Sequence, residues 1–299
     1  MSPTVDWTQE AWNKSEDMRA LAMEAGRQIL SVYSQDFEVT EKADTSPLTA
    51  ADMASHYIIL KGLAALDGPL GAIPIISEEG ELLEYSQRSA WEAWWLIDPL
   101  DGTKEFVKRN GEFTVNIALI ARSKPGSPGI PVAGWVFAPV LHRLYEGIAG
   151  HGAVRIHQNL KDGRSGVKKL PMGEPADPPR IVASRSHRSP ETDAVIHAVT
   201  ALFGVGDIVS SGSSLKLCQI AEGSAEFYPR CAPTMEWDTA AADAVCRAAG
   251  FRVVQAVDGT DLVYGKENLL NPWFIVGQDG ALISCAVEAV RSTQVLSDS

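Results

Sequence analysis

Residues 94–116 read WWLIDPLDGTKEFVKRNGEFTVN, and the rest of the chain is organised around this stretch. Its apolar start ends abruptly at two carboxylates, Asp98 and Asp101, which are separated by Pro99 and Leu100. The apolar run has the length of a buried strand, and Pro99 cannot donate to a sheet ladder. The sequence therefore predicts a strand that ends in a tight turn and brings both acids to its carboxyl end.

The spacing of the two acids indicates a cation site. Carboxylates held this close repel each other unless a cation lies between them. A ligand set made only of oxygens favours a hard cation, magnesium or manganese, over zinc. The alternative is an ordinary Asp-Gly turn in which Asp101 caps a helix. The presence of both acids in DPLDGT favours the metal site.

The composition is that of a globular protein that does not bind a nucleic-acid polymer. The 299 residues suffice for one large or two ordinary domains, 45% of them apolar and 21% charged. A net charge of -12 means that a polyanionic substrate would need metal ions and a few placed basic residues. The four cysteines lack CxxC spacing, and neither a signal peptide nor a transmembrane run is recognisable. We therefore expect a reduced, cytoplasmic protein.

Other acids could join the pair, although each also has an ordinary structural explanation. Asp52 lies in the first turn of a predicted helix with a start that resembles a capping box. Glu78 and Glu79 follow a predicted strand at 72–76, and as adjacent strand residues they would point in opposite directions. Asp238 opens an alanine-rich helix, where aspartate is a favoured N-cap. Spacing does not decide between these alternatives.

Residues 212–216, GSSLK, form a turn of small residues that opens a predicted helix. Backbone N–H groups, hydroxyls and an ammonium at such a turn can seat a phosphate. A capped surface helix is the alternative interpretation. The segment is therefore a candidate anion site that needs support from elsewhere in the chain.

The motif DPLDGT resembles the signature of the inositol-monophosphatase superfamily of metal-dependent, lithium-sensitive phosphomonoesterases. The longer form DPLDGTKEFVKRNGEFTVNIALI looks specifically like the bacterial 3′(2′),5′-bisphosphate nucleotidases of sulfur assimilation. Inositol monophosphatases typically lack the Lys-Glu-Phe that follows Thr103. TAAD at 49–52, SEEG at 77–80 and WDTAA at 237–241 extend the similarity over nearly the whole chain.

The resemblance implies a fold of the α+β or α/β class, a layered αβαβα sandwich. An N-terminal domain with a largely antiparallel sheet would be followed by a smaller C-terminal domain with a mixed sheet. We place the first domain at 1–157, a linker rich in Gly, Pro and charge at 158–179, and the second domain at 180–299. The second domain is predicted to contain a helix over Pro190–Phe203 and a strand at 225–228.

The resemblance also implies a set of metal ligands with Mg²⁺ as the cofactor. Glu78, Asp98 and the Leu100 carbonyl would hold the ion that activates water. Asp98, Asp101 and Asp238 would hold the ion on the ribose 3′-oxygen side. Lithium is expected to inhibit at sub-millimolar to millimolar levels by occupying the site between Asp101 and Asp238.

Catalytic and substrate-binding roles follow from the same resemblance. Thr103, positioned by Asp52, and Glu78 would orient the attacking water and take up its proton. Lys216 and Arg230 would anchor a 5′-phosphate that does not react, and His187 would lie near the nucleoside. The full set of implied substrate-binding residues is Gly102, Thr103, Lys104, His187, Ser213, Ser214, Lys216, Arg230 and Asp238.

The favoured function is a magnesium-dependent phosphomonoesterase that converts adenosine 3′,5′-bisphosphate to AMP and phosphate. Its 5′-phosphosulfate form is left open as a second substrate. One alternative is the same chemistry on an inositol or sugar monophosphate, and another is a catalytically silent nucleotide or metal sensor. The intact set of acids argues against the sensor. The resemblance also implies, as an expectation, peripheral association with the inner membrane. No oligomeric state is predicted.

Overall fold

The computed structural model describes residues 5–34, 39–41, 47–158, 165–183, 189–204, 206–278 and 280–297. The predicted nucleoside contact, His187, lies outside these residues. No helix in the described ranges is long and apolar enough to cross a membrane.

The first half of the chain alternates a few helices with a long run of strands. Its helices are α1 (Trp7–Asn13), α2 (Ser15–Tyr33), α3 (Ala50–Ala64), a 3-10 turn (Pro69–Ala72), α4 (Tyr85–Arg88) and α5 (Thr103–Val107). Its strands are β1 (Val39–Glu41), β2 (Pro47–Thr49), β3 (Ile75–Ser77), β4 (Ala93–Asp101), β5 (Thr114–Arg122), β6 (Gly129–Ala138), β7 (Arg143–Ile148), β8 (Gly152–Gln158) and β9 (Ser165–Lys169).

In the second half, short strands and helices follow one another. The strands are β10 (Ile181–Val182), β11 (Ile208–Val209), β12 (Phe227–Arg230), β13 (Arg252–Gln255) and β14 (Phe274–Gly277). The helices are α6 (Pro190–Phe203), α7 (Leu215–Glu222), α8 (Glu236–Ala248) and α9 (Ala281–Ser297). The helix predicted over Pro190–Phe203 is confirmed.

Seven strands form the larger sheet, in the order β3-β4-β5-β6-β7-β8-β9. Among the strand pairs of this sheet in the described residues, only β3–β4 is parallel, so the sheet is largely antiparallel as predicted. Pro74 precedes β3, which lies at the sheet edge, where a missing backbone donor is tolerated. Strand β9 falls within the segment predicted as a linker, because its backbone continues the ladder of β8.

Five strands form the smaller sheet, in the order β11-β10-β12-β14-β13, with parallel and antiparallel pairs. The strand predicted at 225–228 begins and ends two residues later, at Phe227 and Arg230. It continues through Pro229, which lies opposite Ile275 of β14. The pairing of β12 with β10 is at Phe227, before Pro229, so no bond to β10 is required of the missing N–H.

Helices and sheets stack in five layers, which confirms the predicted αβαβα order. Helices α2 and α3 pack on one face of the larger sheet, and α7 and α8 fill the space between the two sheets. Helices α6 and α9 cover the far face of the smaller sheet. Within β4, Trp95 and Ile97 pack with the first helical layer, whereas Trp94 and Leu96 pack with the middle one. Burial on both faces explains why β4 reads as a continuous apolar run.

Helix α8 packs directly against two strand positions of the larger sheet that lack a side chain. A Cβ atom at Gly134 would lie 2.2 Å from the Ala241 carbonyl oxygen. A Cβ atom at Gly147 would lie 2.4 Å from the Cα atom of Val245. These glycines and the alanine-rich helix face let α8 settle against β6 and β7, so its first turn reaches the end of β4.

Candidate active site

A one-residue bulge places Asp98 and Asp101 on the same face of the larger sheet. Asp98 pairs with Asn116 and Asp101 pairs with Thr114, with a register shift between them. Asp98 and Asp101 are three residues apart on β4, whereas their partners on β5 are two residues apart. Strand residues three positions apart normally point to opposite faces. The extra residue in the bulge returns Asp101 to the face of Asp98. The strand continues through Pro99 instead of ending before it, because a bulge requires no ladder bond there.

Asp238 comes to the same place from the middle layer. It occupies the first turn of α8, and the backbone N–H of Met235 donates to its Oδ2 at 2.8 Å. This bond satisfies one of the free N–H donors at the helix start. Asp238 therefore caps α8 and also belongs to the cluster of acids. One carboxylate oxygen from each of Asp98, Asp101 and Asp238 lies within 4.8 Å of the others.

The protein compensates the charges of this cluster only in part. Burial raises the pKa of Asp98 well above its usual range, and the charges of Glu78 and Asp101 raise it further. Burial likewise raises the pKa of Asp101 to about 6, although the Lys216 ammonium opposes the shift. Burial and the neighbouring Asp101 raise the pKa of Asp238 to about 8. The ionised carboxylates repel one another, and a bound cation would favour their charged forms.

Glu78 and Asp52 approach the cluster from two further elements. Glu78 follows β3 directly, and its N–H donates to the Ile97 carbonyl at 3.2 Å. Asp52 is buried in the first turn of α3, with 2% of its surface exposed. Both carboxylates are near enough to raise the pKa of Asp98. The described cluster of closest carboxylate oxygens contains Asp98, Asp101 and Asp238 and does not include Glu78.

The turn after the bulge carries the remaining predicted catalytic groups. Thr103 opens α5 directly after Gly102, whose φ of 89° favours glycine. The Thr103 hydroxyl donates to the Leu100 carbonyl at 3.5 Å, and the Leu100 N–H donates to Asp98 Oδ1 at 3.0 Å. These bonds hold the hydroxyl and the carbonyl beside the carboxylates. The bond expected between Asp52 and Thr103 stays a prediction.

The turn before α7 contacts one acid of the cluster directly. The backbone N–H of Ser214 donates to Asp101 Oδ2 at 2.6 Å. The Ser214 hydroxyl is 2.8 Å from Asn116 Oδ1 and 2.8 Å from the Thr114 hydroxyl. Ser213 adopts a positive φ of 47°, which turns the chain tightly at this point. The second half of the chain thus supports Asp101 as well as supplying Asp238.

Asn116 and Thr114 were not predicted as site residues, although the sequence contains a signal for them. They are the two polar residues in the first half of β5, spaced by two positions, in a strand that is otherwise apolar up to Arg122. Period-two spacing places both side chains on one face. A polar pair at that spacing, opposite the two acids of the neighbouring strand, indicates a shared site.

A cavity of about 370 Å³ opens beside Asp101 and Asp238. Basic residues line it together with the acids, and those among the predicted set are Lys104, Lys216 and Arg230. The lining includes two buried donors that lack a hydrogen-bond partner in the described chain, Ser213 Oγ and Arg230 Nε. Unpaired buried donors are costly, and an anion in the cavity would satisfy them.

Lys216 is held more tightly than the sequence indicates. Its Nζ donates to the Ser213 carbonyl at 2.7 Å and to the Ser211 carbonyl at 3.5 Å, and 8% of the residue is exposed. Burial lowers its pKa to about 8, although Asp101 opposes the shift. Lys216 therefore stabilises its own turn in addition to lining the cavity.

The donor set fits a hard divalent cation. Its side chains are oxygen ligands on separate elements, and burial and mutual repulsion already disfavour their ionised forms. Magnesium prefers such oxygens, and its charge would remove the repulsion. No histidine or cysteine belongs to the cluster found among the described residues, which argues against a zinc-type site.

Comparison with known proteins identifies the family of the chain. The sequence profile of the inositol monophosphatase family matches residues 14–293. A 3′(2′),5′-bisphosphate nucleotidase CysQ from Shigella flexneri is 44% identical over 259 residues, covering 86% of this chain and 96% of that protein. The chain belongs to the inositol monophosphatase family. The family member CysQ from Salmonella typhimurium is also 44% identical, over 264 residues, 87% of this chain and 98% of that protein.

Solved structures of the inositol monophosphatase family have the same fold. CysQ from Bacteroides thetaiotaomicron superposes with a TM-score of 0.76 at 44% identity, covering 90% of this chain and 98% of that chain. An inositol monophosphatase from Thermotoga maritima superposes with a TM-score of 0.70 at 19% identity, covering 96% and 99%. The second likeness shows the shared fold, and the first adds substantial sequence similarity.

Proposed function

We propose that this chain is a magnesium-dependent 3′(2′),5′-bisphosphate nucleotidase that converts adenosine 3′,5′-bisphosphate to AMP and phosphate. The observation that carries the proposal is the position of the carboxylate cluster beside a cavity that contains basic residues and unpaired donors. An acidic site alone would repel a nucleotide with two phosphates. The relatives that are 44% identical are named as nucleotidases of this kind.

Asp98, Asp101 and Asp238 would hold magnesium, with Glu78 and the Leu100 carbonyl as further ligands. When bound, magnesium supplies a lowered pKa for water and compensates the charge that accumulates on the phosphoryl oxygens. The protein orients the carboxylates around the ion. The Ser214 N–H fixes the Asp101 carboxylate, and the bulge keeps Asp98 on the same side.

The groups that orient the attacking water and accept its proton lie on the turn between β4 and α5 and at the end of β3. The Thr103 hydroxyl, held at the Leu100 carbonyl, can accept and donate a hydrogen bond and so orient a water molecule. Glu78 is a half-buried carboxylate next to the cluster and takes up the proton of that water. The Ser213 and Arg230 donors then bind the phosphate that does not react.

The test is phosphate release with magnesium from adenosine 3′,5′-bisphosphate, 3′-AMP and an inositol monophosphate. 3′-AMP is the matched substrate because it lacks only the 5′-phosphate. In Arg230→Met, we expect kcat/KM for the bisphosphate to fall about ten- to a hundredfold, the size of one charge-assisted bond. The value for 3′-AMP should change little. Equal losses on both substrates would mean that Arg230 supports the site in general and does not read the second phosphate.

Lys216→Met should behave differently from Arg230→Met. Because the Lys216 ammonium bonds the Ser211 and Ser213 carbonyls, its loss loosens the turn that supports Asp101. We therefore expect both adenosine substrates to lose activity. A faster reaction on the inositol monophosphate than on the bisphosphate in the unmodified protein would favour a sugar phosphatase. Inhibition by lithium at millimolar levels and a cytoplasmic location stay predictions.

A further inference from the structure

Helix α3 presents a row of buried polar side chains to the larger sheet. Asp52, Ser55 and His56 are 2%, 0% and 5% exposed, respectively, on the face that further along buries Ile59 and Leu63. Burying a polar group without a partner is costly, so such a row persists only where each member is bonded. The partners of Ser55 and His56 belong to the two turns that carry the predicted metal ligands.

Ser55 contacts the first of these turns. Its hydroxyl donates to the Pro99 carbonyl at 2.7 Å, inside the bulge between Asp98 and Asp101. That carbonyl lies at a register shift, so the β5 ladder resumes only at Asp101. The hydroxyl of Ser55 thus holds a carbonyl in the bulge that both acids flank.

His56 contacts the second turn, at the end of β3. Its Nδ1 is 2.9 Å from the Ser77 hydroxyl, and both side chains are buried. The same hydroxyl lies 3.4 Å from the Glu79 N–H, and the Ser77 carbonyl accepts the Gly80 N–H at 3.1 Å. All these contacts are satisfied when the hydroxyl donates to Nδ1 and accepts from the Glu79 N–H. Glu78 lies between the two bonded residues.

Strand β3 needs this second attachment more than the other segments of the site. It has three residues, lies at the edge of the sheet and pairs with β4 alone. In contrast, Asp98 and Asp101 belong to a nine-residue strand, and Asp238 belongs to a thirteen-residue helix. A short edge strand with one neighbour is a weakly constrained support for a ligand.

We infer that His56 is a positioning residue that holds Glu78 at the metal site through the Ser77 hydroxyl. The inference rests on the proposed function, since it assumes that Glu78 is a magnesium ligand. Groups that orient metal ligands typically change metal affinity or activity by about ten- to a hundredfold when they are removed. The effect should therefore appear in magnesium binding and should leave nucleotide binding nearly unchanged.

The experiment uses the full chain and measures magnesium binding by titration calorimetry, together with the magnesium dependence of phosphate release. In Ser77→Ala and in His56→Leu, we expect magnesium binding to weaken about tenfold, with KM for the bisphosphate within about twofold. The double variant should be no weaker than either single variant, because both remove the same connection. His56→Asn keeps a hydrogen-bonding group near the Nδ1 position and should restore most of the affinity.

Ser15→Ala is the matched control, because Ser15 is also a buried serine with a side-chain hydrogen bond, 2.9 Å from Glu146, away from the site. Unchanged magnesium binding in Ser77→Ala, or an equal loss in Ser15→Ala, would overturn the inference. Should His56→Leu fail to fold, Ser77→Ala and His56→Asn still decide the question. Magnesium binding without phosphate release from the unmodified protein would count against the proposed function, while the binding data would still decide the role of His56.

Discussion

Helix α8 carries three carboxylates that point inward, and the protein neutralises two of them. Glu236 accepts the N–H groups of Gly265 and Lys266 and the ammonium of Lys266 at 2.5 Å. Asp243 forms an ion pair with Arg247 at 2.6 Å and accepts the Tyr264 hydroxyl at 2.8 Å. Asp238 instead faces Asp98 and Asp101, and no ion pair joins it to a cation in the described ranges.

The difference distinguishes two acids that are paired within the fold from Asp238, the predicted metal ligand on the same helix. Burial raises the pKa of Asp243 as it does that of Asp238, but Arg247 opposes the first shift whereas Asp101 reinforces the second. A structural carboxylate forms an ion pair with a basic side chain of the same protein, and breaking such a pair destabilises the protein. As a predicted metal ligand, Asp238 would be compensated by a bound cation, so neutralising this acid should affect chemistry before stability.

The largest expected effect is the loss of activity in Asp238→Asn. Magnesium-dependent phosphate release should fall on the order of a thousandfold, as expected when electrostatic stabilisation of the transition state is removed. The melting temperature without magnesium should stay nearly the same at neutral pH, where Asp238 retains its proton, and should rise above about pH 8, where the variant lacks one repelling charge. Calorimetry with chelator and a phosphate assay check the two expectations.

Glu236→Gln is the control for that prediction, since it removes the same charge from the same helix. We expect this variant to melt at a lower temperature while its folded fraction keeps its activity. Loss of activity in Glu236→Gln to the same extent as in Asp238→Asn would show that the two acids do not differ in role.

The second expected effect concerns stability alone. Arg247→Met leaves Asp243 without its ion-pair partner, and removing one member of a buried pair costs about 3 kcal/mol or more. Urea denaturation should show this loss in the free energy of unfolding, with kcat and KM within about twofold of the unmodified protein. A variant with normal stability and lost activity would reverse the assignment of Asp243 as a structural acid.

The smallest expected effect is a pH dependence of the metal-free protein. Folding raises the pKa of Asp101 to about 6 and that of Asp238 to about 8, so the folded state retains protons that the unfolded chain has released. Stability contributed by these groups should therefore fall as pH rises from about 4 to about 8. Added magnesium should raise the melting temperature more at pH 8 than at pH 5.

In Asp238→Asn the decline with pH should become shallower, because one of the titrating groups is gone. Melting curves with chelator at several pH values provide the measurement. A decline that is as steep in the variant as in the unmodified protein would place its origin elsewhere in the chain.

Much of the site could be read from short motifs. The pair Asp98 and Asp101, the acid at Asp238 and the small-residue turn at 212–216 are all recognisable in the sequence. The structure groups the three acids and places Asp101, Asp238 and the turn around one cavity. The sequence analysis does not predict Thr114, Asn116 or the bond from the Ser214 N–H to Asp101. Their roles depend on the pairing of β4 with β5 and on the packing of the α7 turn against Asp101, which link residues far apart in the chain.

The sequence by itself determined the local chemistry of this protein: a buried strand, two acids at the spacing of a metal site, and helix starts with polar caps. These features depend on residue type and on spacings of a few positions. Only the tertiary structure decided which groups act together. The bulge gives Asp98 and Asp101 a common face, and Gly134 and Gly147 let α8 bring Asp238 to them. Register and close approach depend on contacts between distant segments, which no local pattern records.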